Sequence, residues 1–232
     1  MTGSRTLQIA EMFGPTFQGE GPSCGQRAVF VRLAGCPLAC VWCDTPYTWD
    51  WSRFDRAVES RTVTVDDVVT WANGLSTDLV VVTGGEPLAQ RRSLTALCTM
   101  LAASDRRVEI ETSGVIPPPQ ALTAVVARFV VSPKLAHSGM PRFRRIRPDA
   151  LHAFAQTGKA AFKFVVRTED DLDEVAELAG AHSLAPVWIM PEGATDGQVL
   201  AGIRRLADPV LARGWHLTSR LHILTWGDRR GR

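Results

Sequence analysis

Three cysteines lie close together in the sequence, at Cys36, Cys40 and Cys43, with the spacing C-x-x-x-C-x-x-C. Thiolates are soft ligands, and three of them on one short loop can ligate three corners of a cubic 4Fe-4S cluster. The fourth iron then stays open to another ligand. The reductive cleavage of S-adenosylmethionine requires such a cluster, because the methionine amine and carboxylate chelate the open iron before an electron breaks the sulfonium bond and gives a 5′-deoxyadenosyl radical.

A structural zinc site is the alternative for the same cysteines. Such a site is closed by four ligands, usually in two pairs. The sequence contains no second C-x-x-C and no H-x-x-x-H, so Cys24 or a histidine would have to complete the set. The missing fourth ligand favours the cluster, while a non-catalytic, zinc-stabilised binding module stays open as an alternative.

The composition is that of an ordinary globular protein. The chain has 232 residues, 45% of them hydrophobic, and its 26 basic and 24 acidic residues leave a net charge of +2. We therefore predict one domain over residues 1–232, with neither a nucleic-acid partner nor a membrane surface. Five cysteines, an N-terminus without a signal peptide and no bilayer-length apolar run predict a cytoplasmic protein. We interpret the basic runs 142–147 and 229–232 as solvated surface and a charged tail, and Cys98 as a core residue.

The elements that must position the cysteines follow a repeating strand and helix pattern. Short strands rich in β-branched residues are predicted at 28–33, 79–82, 108–111, 129–132, 162–166 and 186–190. Helical patterns lie near 66–75, 88–103, 119–127, 148–157, 169–182 and 196–213. This alternation is typical of a parallel sheet with crossover helices. Six units are too few for a closed eight-stranded barrel, so the predicted fold class is α/β, a partial, open TIM-like barrel of about six parallel strands.

Unusual segments follow four of these strands, and in chain order they read GCPLACVWCDT, TGGEP, ETSG and SPK. In such barrels the chemistry lies at the carboxyl edge of the sheet, so we expect the four segments to meet there. The paired glycines Gly84 and Gly85 would let the backbone approach a ligand closely. In the radical S-adenosylmethionine superfamily, which these segments resemble, a GGEP motif at this place lies against the methionine end of the cofactor.

The strand AVFVRL places Arg32 on the face opposite its aliphatic residues Val29, Val31 and Leu33. If the aliphatic face packs on helices, Arg32 points into the barrel, four residues before Cys36. An arginine there could form a forked pair with a carboxylate. A solvent-exposed edge arginine is the alternative, and Lys163 in FKFVV raises the same question.

A longer signature extends over most of the chain. It comprises EMFGPTFQGEGPSCGQRAVFVRLAGCPLACVWCDTPYTWD from Glu11, the segments TGGEP, ETSG and SPK, and LHILTWGDRRG from Leu221. This text closely resembles the family of 7-carboxy-7-deazaguanine synthases. QGEG and CDT are more specific than the cysteine triplet, which the whole superfamily shares.

The resemblance implies a radical ring contraction in queuosine-type 7-deazapurine biosynthesis. The substrate would be 6-carboxy-5,6,7,8-tetrahydropterin and the product 7-carboxy-7-deazaguanine, with loss of ammonia and regeneration of S-adenosylmethionine. It also implies magnesium at the substrate, an electron donor such as flavodoxin or ferredoxin, and a homodimer. A glycyl-radical activating enzyme, which uses the same cysteine loop, is a second enzyme alternative, although it would not need QGEG or Thr45.

The resemblance also assigns site residues. The substrate would contact Phe17, Gln18, Gly19, Arg32, Thr83 and, on a final strand-like segment, His222. S-adenosylmethionine would lie against Trp42, Cys43, Asp44, Gly85, Ser132, Pro133 and Lys134. Cys36, Cys40 and Cys43 would ligate the cluster, and Thr45 would ligate magnesium. No catalytic side chain is implied, because the radical does the chemistry. Met190 departs from the pattern, since many relatives carry a glutamine there.

Overall fold

The computed structural model describes residues 5–232, and the first four residues of the predicted domain lie outside that range. The strands are β1 (Thr6–Phe17), β2 (Arg27–Leu33), β3 (Arg61–Thr64), β4 (Leu79–Gly84), β5 (Arg107–Thr112), β6 (Arg128–Val131), β7 (Ala160–Val166), β8 (Val187–Pro191) and β9 (His216–Leu217). The helices are α1 (Arg56–Glu59), α2 (Val65–Asn73), α3 (Arg91–Ala103), α4 (Gln120–Val125), α5 (Arg142–Arg145), α6 (Pro148–Ala155), α7 (Asp171–His182), α8 (Asp196–Ala212) and α9 (Leu221–Trp226). Within the described chain no helix has the length and apolar character needed to cross a bilayer.

Within residues 5–232 the nine strands form one sheet, in the order β3-β1-β2-β4-β5-β6-β7-β8-β9. From β2 through β9 neighbouring strands are parallel, whereas β1 pairs antiparallel with both β2 and β3. The sheet stays open, because β3 and β9 are edge strands in that order. The six predicted strands are all present in the parallel part, so the predicted α/β, open partial-barrel class is confirmed.

Three strands were not predicted, namely β1, β3 and β9. Leu7 and Ile9 of β1 are buried in alternation, as in an ordinary strand. Further along β1 the pairing with β2 shifts register between Ile9 and Glu11 and again between Phe13 and Thr16. These irregularities break the period of two on which recognition of a strand depends. The other two strands, with four and two residues, are too short to give a periodic signal.

The two faces of β2 divide as the alternation predicts. Val29, Val31 and Leu33 are fully buried in the main hydrophobic core together with apolar residues of the surrounding helices. Phe30, on the opposite face, stacks on Phe13 of β1 with ring centroids 4.9 Å apart. Cys98 of α3 is fully buried in the main core, which confirms its predicted role there. The inward face of β2 is therefore free to deliver Arg32 to a site.

Candidate active site

One pocket lies at the carboxyl edge of the parallel strands. Fifteen of the predicted site residues line it: Phe17, Gln18, Gly19, Arg32, Cys36, Cys40, Trp42, Cys43, Asp44, Thr45, Thr83, Gly85, Ser132, Lys134 and His222. Pro133 is buried and is not among the lining residues. The structure therefore brings the four predicted loops and the QGEG segment to one place.

The cysteine loop forms one wall of the pocket. Cys40 is buried, and the half-buried Cys36 and Cys43 pack against the same small apolar cluster as Leu38. The indole Nε1 of Trp49 donates a hydrogen bond to Cys43 Sγ at 3.3 Å. Burial raises the pKa of Cys36 to about 12 and also raises the pKa of Cys40. Iron that binds these thiols must therefore displace their protons.

The donor set fits a cluster held at three corners. Within residues 5–232 no three His, Cys, Asp or Glu side chains meet tightly enough to hold a single metal ion. Cys24, the candidate fourth zinc ligand, donates to the Gly19 carbonyl at 3.3 Å and lies 3.6 Å from Ser219 Oγ. Its recorded partners thus lie outside the cysteine loop, which leaves three sulfurs there. Three thiols suit a cluster with an open iron better than closed structural zinc.

The glycines of TGGEP approach the protein's own backbone. The N–H of Gly85 donates to the Leu33 carbonyl at 2.9 Å, and that of Glu86 donates to the Gly35 carbonyl at 2.8 Å. A Cβ on Gly85 would lie 2.1 Å from the Gly35 oxygen, and one on Gly84 would lie 2.2 Å from the Leu33 oxygen. This close approach joins TGGEP to the start of the cysteine loop, and because both glycines also line the pocket, their expected contact with a ligand stays a prediction.

Glu86 connects TGGEP to the next loop. Its carboxylate is fully buried and accepts hydrogen bonds from the Thr112 hydroxyl at 2.8 Å and from the Ser113 N–H at 2.9 Å. The Ser113 hydroxyl and the Leu88 N–H also donate to it. A buried carboxylate with four donors needs no cation partner. The three loops after β2, β4 and β5 are therefore held as one unit.

A largely buried ion cluster lines the pocket, and Glu20 of QGEG is its centre. Glu20 accepts from Lys163 Nζ at 2.5 Å and from Arg220 Nε at 3.0 Å. Burial alone would raise the pKa of Glu20, but the charges of Lys163 and Arg220 outweigh burial and hold that pKa far below its ordinary value. Arg220 also donates to Asp44 Oδ2 at 2.5 Å. Lys163 therefore points into the pocket, which answers the question its position in β7 raised.

His222 lies beside this cluster, with Nε2 3.9 Å from Glu20 Oε1. The prediction of a strand-like segment was wrong, since His222 belongs to α9. A helix of six residues is too short for the apolar spacing of LHILTW to distinguish it from a strand. Burial lowers the pKa of His222, so the ring is neutral at pH 7. Gly19 leaves room for it, because a Cβ there would lie 2.1 Å from Nδ1.

Two predicted substrate residues converge on a carboxylate that the resemblance did not single out. Gln18 Nε2 donates to Glu111 Oε1 at 3.1 Å, and the Thr83 hydroxyl donates to Glu111 Oε2 at 2.7 Å. Glu111 is the first residue of ETSG, and the alternation of VEIE was the signal that could have placed it on the inward face. The pocket thus offers an acceptor at the end of β5.

Arg32 meets its carboxylate on β1. Its Nε donates to Glu11 Oε2 at 2.9 Å, a single contact and not the predicted fork. The Tyr47 hydroxyl donates to the same oxygen at 2.8 Å. Arg230 Nε donates to Glu11 Oε1 at 2.8 Å while its side chain stays 52% exposed, so the residue is solvated as predicted and is in addition paired. Burial tends to raise the pKa of Glu11, but Arg230 and Arg32 outweigh it and lower that pKa overall.

The basic run 142–147 also contains a buried residue. Arg145 donates to Glu174 Oε1 at 2.7 Å and to the Lys134 carbonyl at 2.8 Å. It therefore braces the SPK loop, whereas Arg142, Arg144 and Arg147 are exposed as expected.

Trp42 and Lys134 face one another across the SPK side of the pocket. Lys134 Nζ lies 5.6 Å from the centroid of the Trp42 ring and donates to Ser132 Oγ at 2.9 Å. The Trp42 ring packs against His137 with centroids 5.4 Å apart. Its buried Nε1 has no hydrogen-bond partner among the described residues. Since buried donors are normally paired, this one suits an acceptor on a bound cofactor.

The cysteine loop, the TGGEP contact and the open parallel sheet together define a radical S-adenosylmethionine enzyme, a class that uses a 4Fe-4S cluster and S-adenosylmethionine. The sequence profile of the Radical SAM superfamily matches residues 31–133. The 7-carboxy-7-deazaguanine synthase of Pyrobaculum aerophilum is 40% identical over 100% of both chains. That of Hyperthermus butylicus is 36% identical over 94% of this chain and 92% of its own. The chain therefore belongs to the family of 7-carboxy-7-deazaguanine synthases, as the resemblance predicted.

A solved structure agrees with this assignment. The crystal structure of QueE from Escherichia coli matches with a TM-score of 0.71 and 27% sequence identity, covering 93% of this chain and 94% of that one. The fold and the family thus extend over nearly the whole chain.

Proposed function

We propose that the protein converts 6-carboxy-5,6,7,8-tetrahydropterin into 7-carboxy-7-deazaguanine with loss of ammonia. A cluster held by Cys36, Cys40 and Cys43, together with S-adenosylmethionine, would supply the radical chemistry of hydrogen-atom abstraction and return, while the chain's other pocket residues would hold the pterin. The observation that carries the proposal is the single pocket in which the cysteine loop, TGGEP and QGEG meet. Neither a glycyl-radical activating enzyme nor a zinc module accounts for QGEG in that pocket.

The chain's residues divide into two groups around this chemistry. Cys36, Cys40 and Cys43 would hold the cluster. S-adenosylmethionine would be bound by Trp42, Cys43, Asp44, Gly85, Ser132, Pro133 and Lys134. The buried indole N–H of Trp42, which has no partner in the described part of the chain, supports this placement. A cofactor seated there lies between the cysteine loop and the SPK loop.

The substrate side is formed by Phe17, Gln18, Gly19, Arg32, Thr83 and His222. A pterin carries an amino group and ring N–H groups on one edge, and the carboxylate of Glu111 is an acceptor suited to them. Arg32 uses its Nε–H on Glu11. Its terminal N–H groups, for which no partner is recorded within residues 5–232, suit the substrate carboxylate.

Magnesium would be held by Thr45. Its hydroxyl lies 3.8 Å from Cys43 Sγ, and the residue lines the pocket. Magnesium keeps several waters and takes few protein ligands, so one hydroxyl together with substrate oxygens is a suitable set.

The reductant would be a carrier such as flavodoxin or ferredoxin. The exposed arginines Arg142, Arg144 and Arg147 favour an acidic partner, and Arg144 donates to the Pro37 carbonyl in the cysteine loop at 2.8 Å. The homodimer and the cytoplasmic location stay predictions. The single-domain organisation also stays a prediction, which one continuous sheet and a shared core support.

The test is anaerobic reconstitution with iron and sulfide, followed by incubation with reductant, S-adenosylmethionine and the carboxytetrahydropterin. We expect a deazapurine chromophore without net consumption of S-adenosylmethionine, and no product from Cys40→Ala. Cofactor cleavage without the deazapurine would indicate another radical reaction. A colourless protein with one bound zinc would support the binding module instead.

A further inference from the structure

The segment 227–232, which follows α9, returns to the pocket. Asp228, Arg229, Arg230, Gly231 and Arg232 are all among its lining residues. Trp226, at the end of α9, stacks on Phe17 of β1 with ring centroids 6.0 Å apart. The segment therefore closes the β1 side of the site, where the substrate groups lie.

Arg230 anchors this segment through three contacts. Its Nε donates to Glu11 Oε1 at 2.8 Å, and its NH2 donates to Glu59 Oε2 at 2.9 Å. The guanidinium lies over the Tyr47 ring, 3.8 Å from the centroid. Glu11 on β1 and Tyr47 in the turn after the cysteine loop line the pocket, whereas Glu59 on α1 lies outside it, so Arg230 joins two parts of the pocket wall to α1.

Glu11 is the residue through which this anchor can act. One carboxylate oxygen accepts from Arg230, while the other accepts from Arg32 and from the Tyr47 hydroxyl. The two arginines thus hold the carboxylate from opposite sides. Without Arg230, Glu11 could rotate about its side-chain bonds, and Arg32 would follow it because Glu11 is the carboxylate it bonds.

We propose that Arg230 is a positioning residue for substrate binding, which holds Glu11 so that Arg32 keeps its place in the pocket. The inference rests on the proposed function, since it takes Arg32 to bind the substrate carboxylate. No covalent or redox step is involved. Arg230 contributes geometry to the site and does not itself need to touch the substrate.

The exposure of these side chains indicates that Arg230 contributes to the geometry of the site more than to the stability of the fold. The Arg230 side chain is 52% exposed, whereas Glu11 is 14% exposed. A pair that is open to water on one side contributes little to folding stability. Loss of Arg230 should therefore leave the protein folded and the cluster intact, and change the affinity for substrate.

The experiment compares Arg230→Ala, Arg230→Lys and wild type as reconstituted holoenzymes. The dissociation constant for the carboxytetrahydropterin is measured by anaerobic equilibrium dialysis, and KM and kcat are measured separately. We expect Arg230→Ala to raise both the dissociation constant and KM about three- to tenfold, with kcat changed less than twofold, from the usual strength of partly exposed charged contacts. Arg230→Lys keeps the charge and should recover part of the loss.

Two further variants test the contact between Arg230 and Glu59 and control for the loss of an exposed arginine. Glu59→Gln removes the outer anchor alone and should give a smaller loss than Arg230→Ala. Arg204→Ala, at an exposed position on α8, is the matched control and should bind like wild type. Iron content and the midpoint of thermal unfolding are recorded for every variant.

The outcomes distinguish this inference from the function on which it rests. If wild type neither binds nor converts the pterin, the proposed function fails. If wild type binds it and Arg230→Ala binds equally well, the positioning role is refuted. A loss of kcat alone, or an equal loss in Arg204→Ala, refutes it as well.

Discussion

Replacement of Glu20 by glutamine should destabilise the protein strongly. Glu20 is the shared partner of Lys163 and Arg220, whose side chains are only 6% and 9% exposed. Glutamine keeps the shape of glutamate but removes its negative charge. The carboxylate that then remains beside Lys163 is that of Glu111, at 3.9 Å. Arg220 keeps Asp44 as a partner. The perturbation therefore leaves one buried cation almost uncompensated.

Removing one partner of a buried ion pair typically lowers the free energy of unfolding by about 3–5 kcal/mol. Because Lys163 keeps Glu111 and Arg220 keeps Asp44, we expect a loss at the lower end, about 3 kcal/mol. For a chain of this size that corresponds to a fall in Tm of roughly 6–12 °C. Thermal unfolding followed by circular dichroism measures it. The matched control is Glu177→Gln, which breaks an Arg142 pair of 2.6 Å whose side chains are 50% and 59% exposed. Exposed pairs contribute about 0–1 kcal/mol, so the control should shift Tm by no more than about 4 °C.

The same effect should depend on pH in a defined direction. The folded-state pKa of Glu20 lies below its ordinary value of 4.5, so its contribution to stability is complete above that value and is lost as the pH falls toward the folded-state pKa. The difference between wild type and Glu20→Gln should therefore be largest at neutral pH and should narrow below about pH 4.5. Equal unfolding midpoints for Glu20→Gln and Glu177→Gln at pH 7 would refute the reasoning.

Three glycine and cysteine substitutions give further predictions. Gly19→Ala places a Cβ 2.1 Å from His222 Nδ1, so it should displace the ring and weaken pterin binding in equilibrium dialysis while iron content is unchanged. Gly85→Ala places a Cβ 2.1 Å from the Gly35 oxygen, so it should push the cysteine loop away and lower the iron bound after reconstitution. Cys98→Ala, in the core, should bind iron normally and lose about 1–2 kcal/mol of unfolding free energy in a urea titration; reduced iron there would contradict its core role.

Much of the fold could be predicted from the sequence, because the buried parallel strands are short apolar runs rich in β-branched residues that alternate with helical patterns. The alternation in β2 correctly placed Val29 and Arg32 on opposite faces. The same reasoning missed β1, since its two register shifts disturb the alternation after Ile9. It also assigned His222 to a strand, because a six-residue helix gives too little of the 3.6-residue period to recognise.

The sequence predicted which loops form the site but not which of their side chains pair with one another. Periodicity shows which way a side chain points but not which residue it meets, and the partners here are far apart in the chain. Arg32 meets Glu11, and Lys163 meets Glu20, 143 residues earlier. Both carboxylates lie inside the signature that identified the family, yet their role in holding buried cations depends on tertiary structure. The family resemblance identified the positions of the site residues, and the structure showed which carboxylate pairs with which cation.

The pairing of Glu20 with Arg220 has a consequence for biosynthesis. The two residues are separated by 200 positions, so the ribosome finishes Arg220 many seconds after Glu20 has emerged, at about 5–20 residues per second. A nascent chain that ends before Arg220 can pair Glu20 with Lys163 alone, and it leaves Asp44 without its arginine. The last contact of this ion cluster can thus form only when nearly the whole chain has been synthesised.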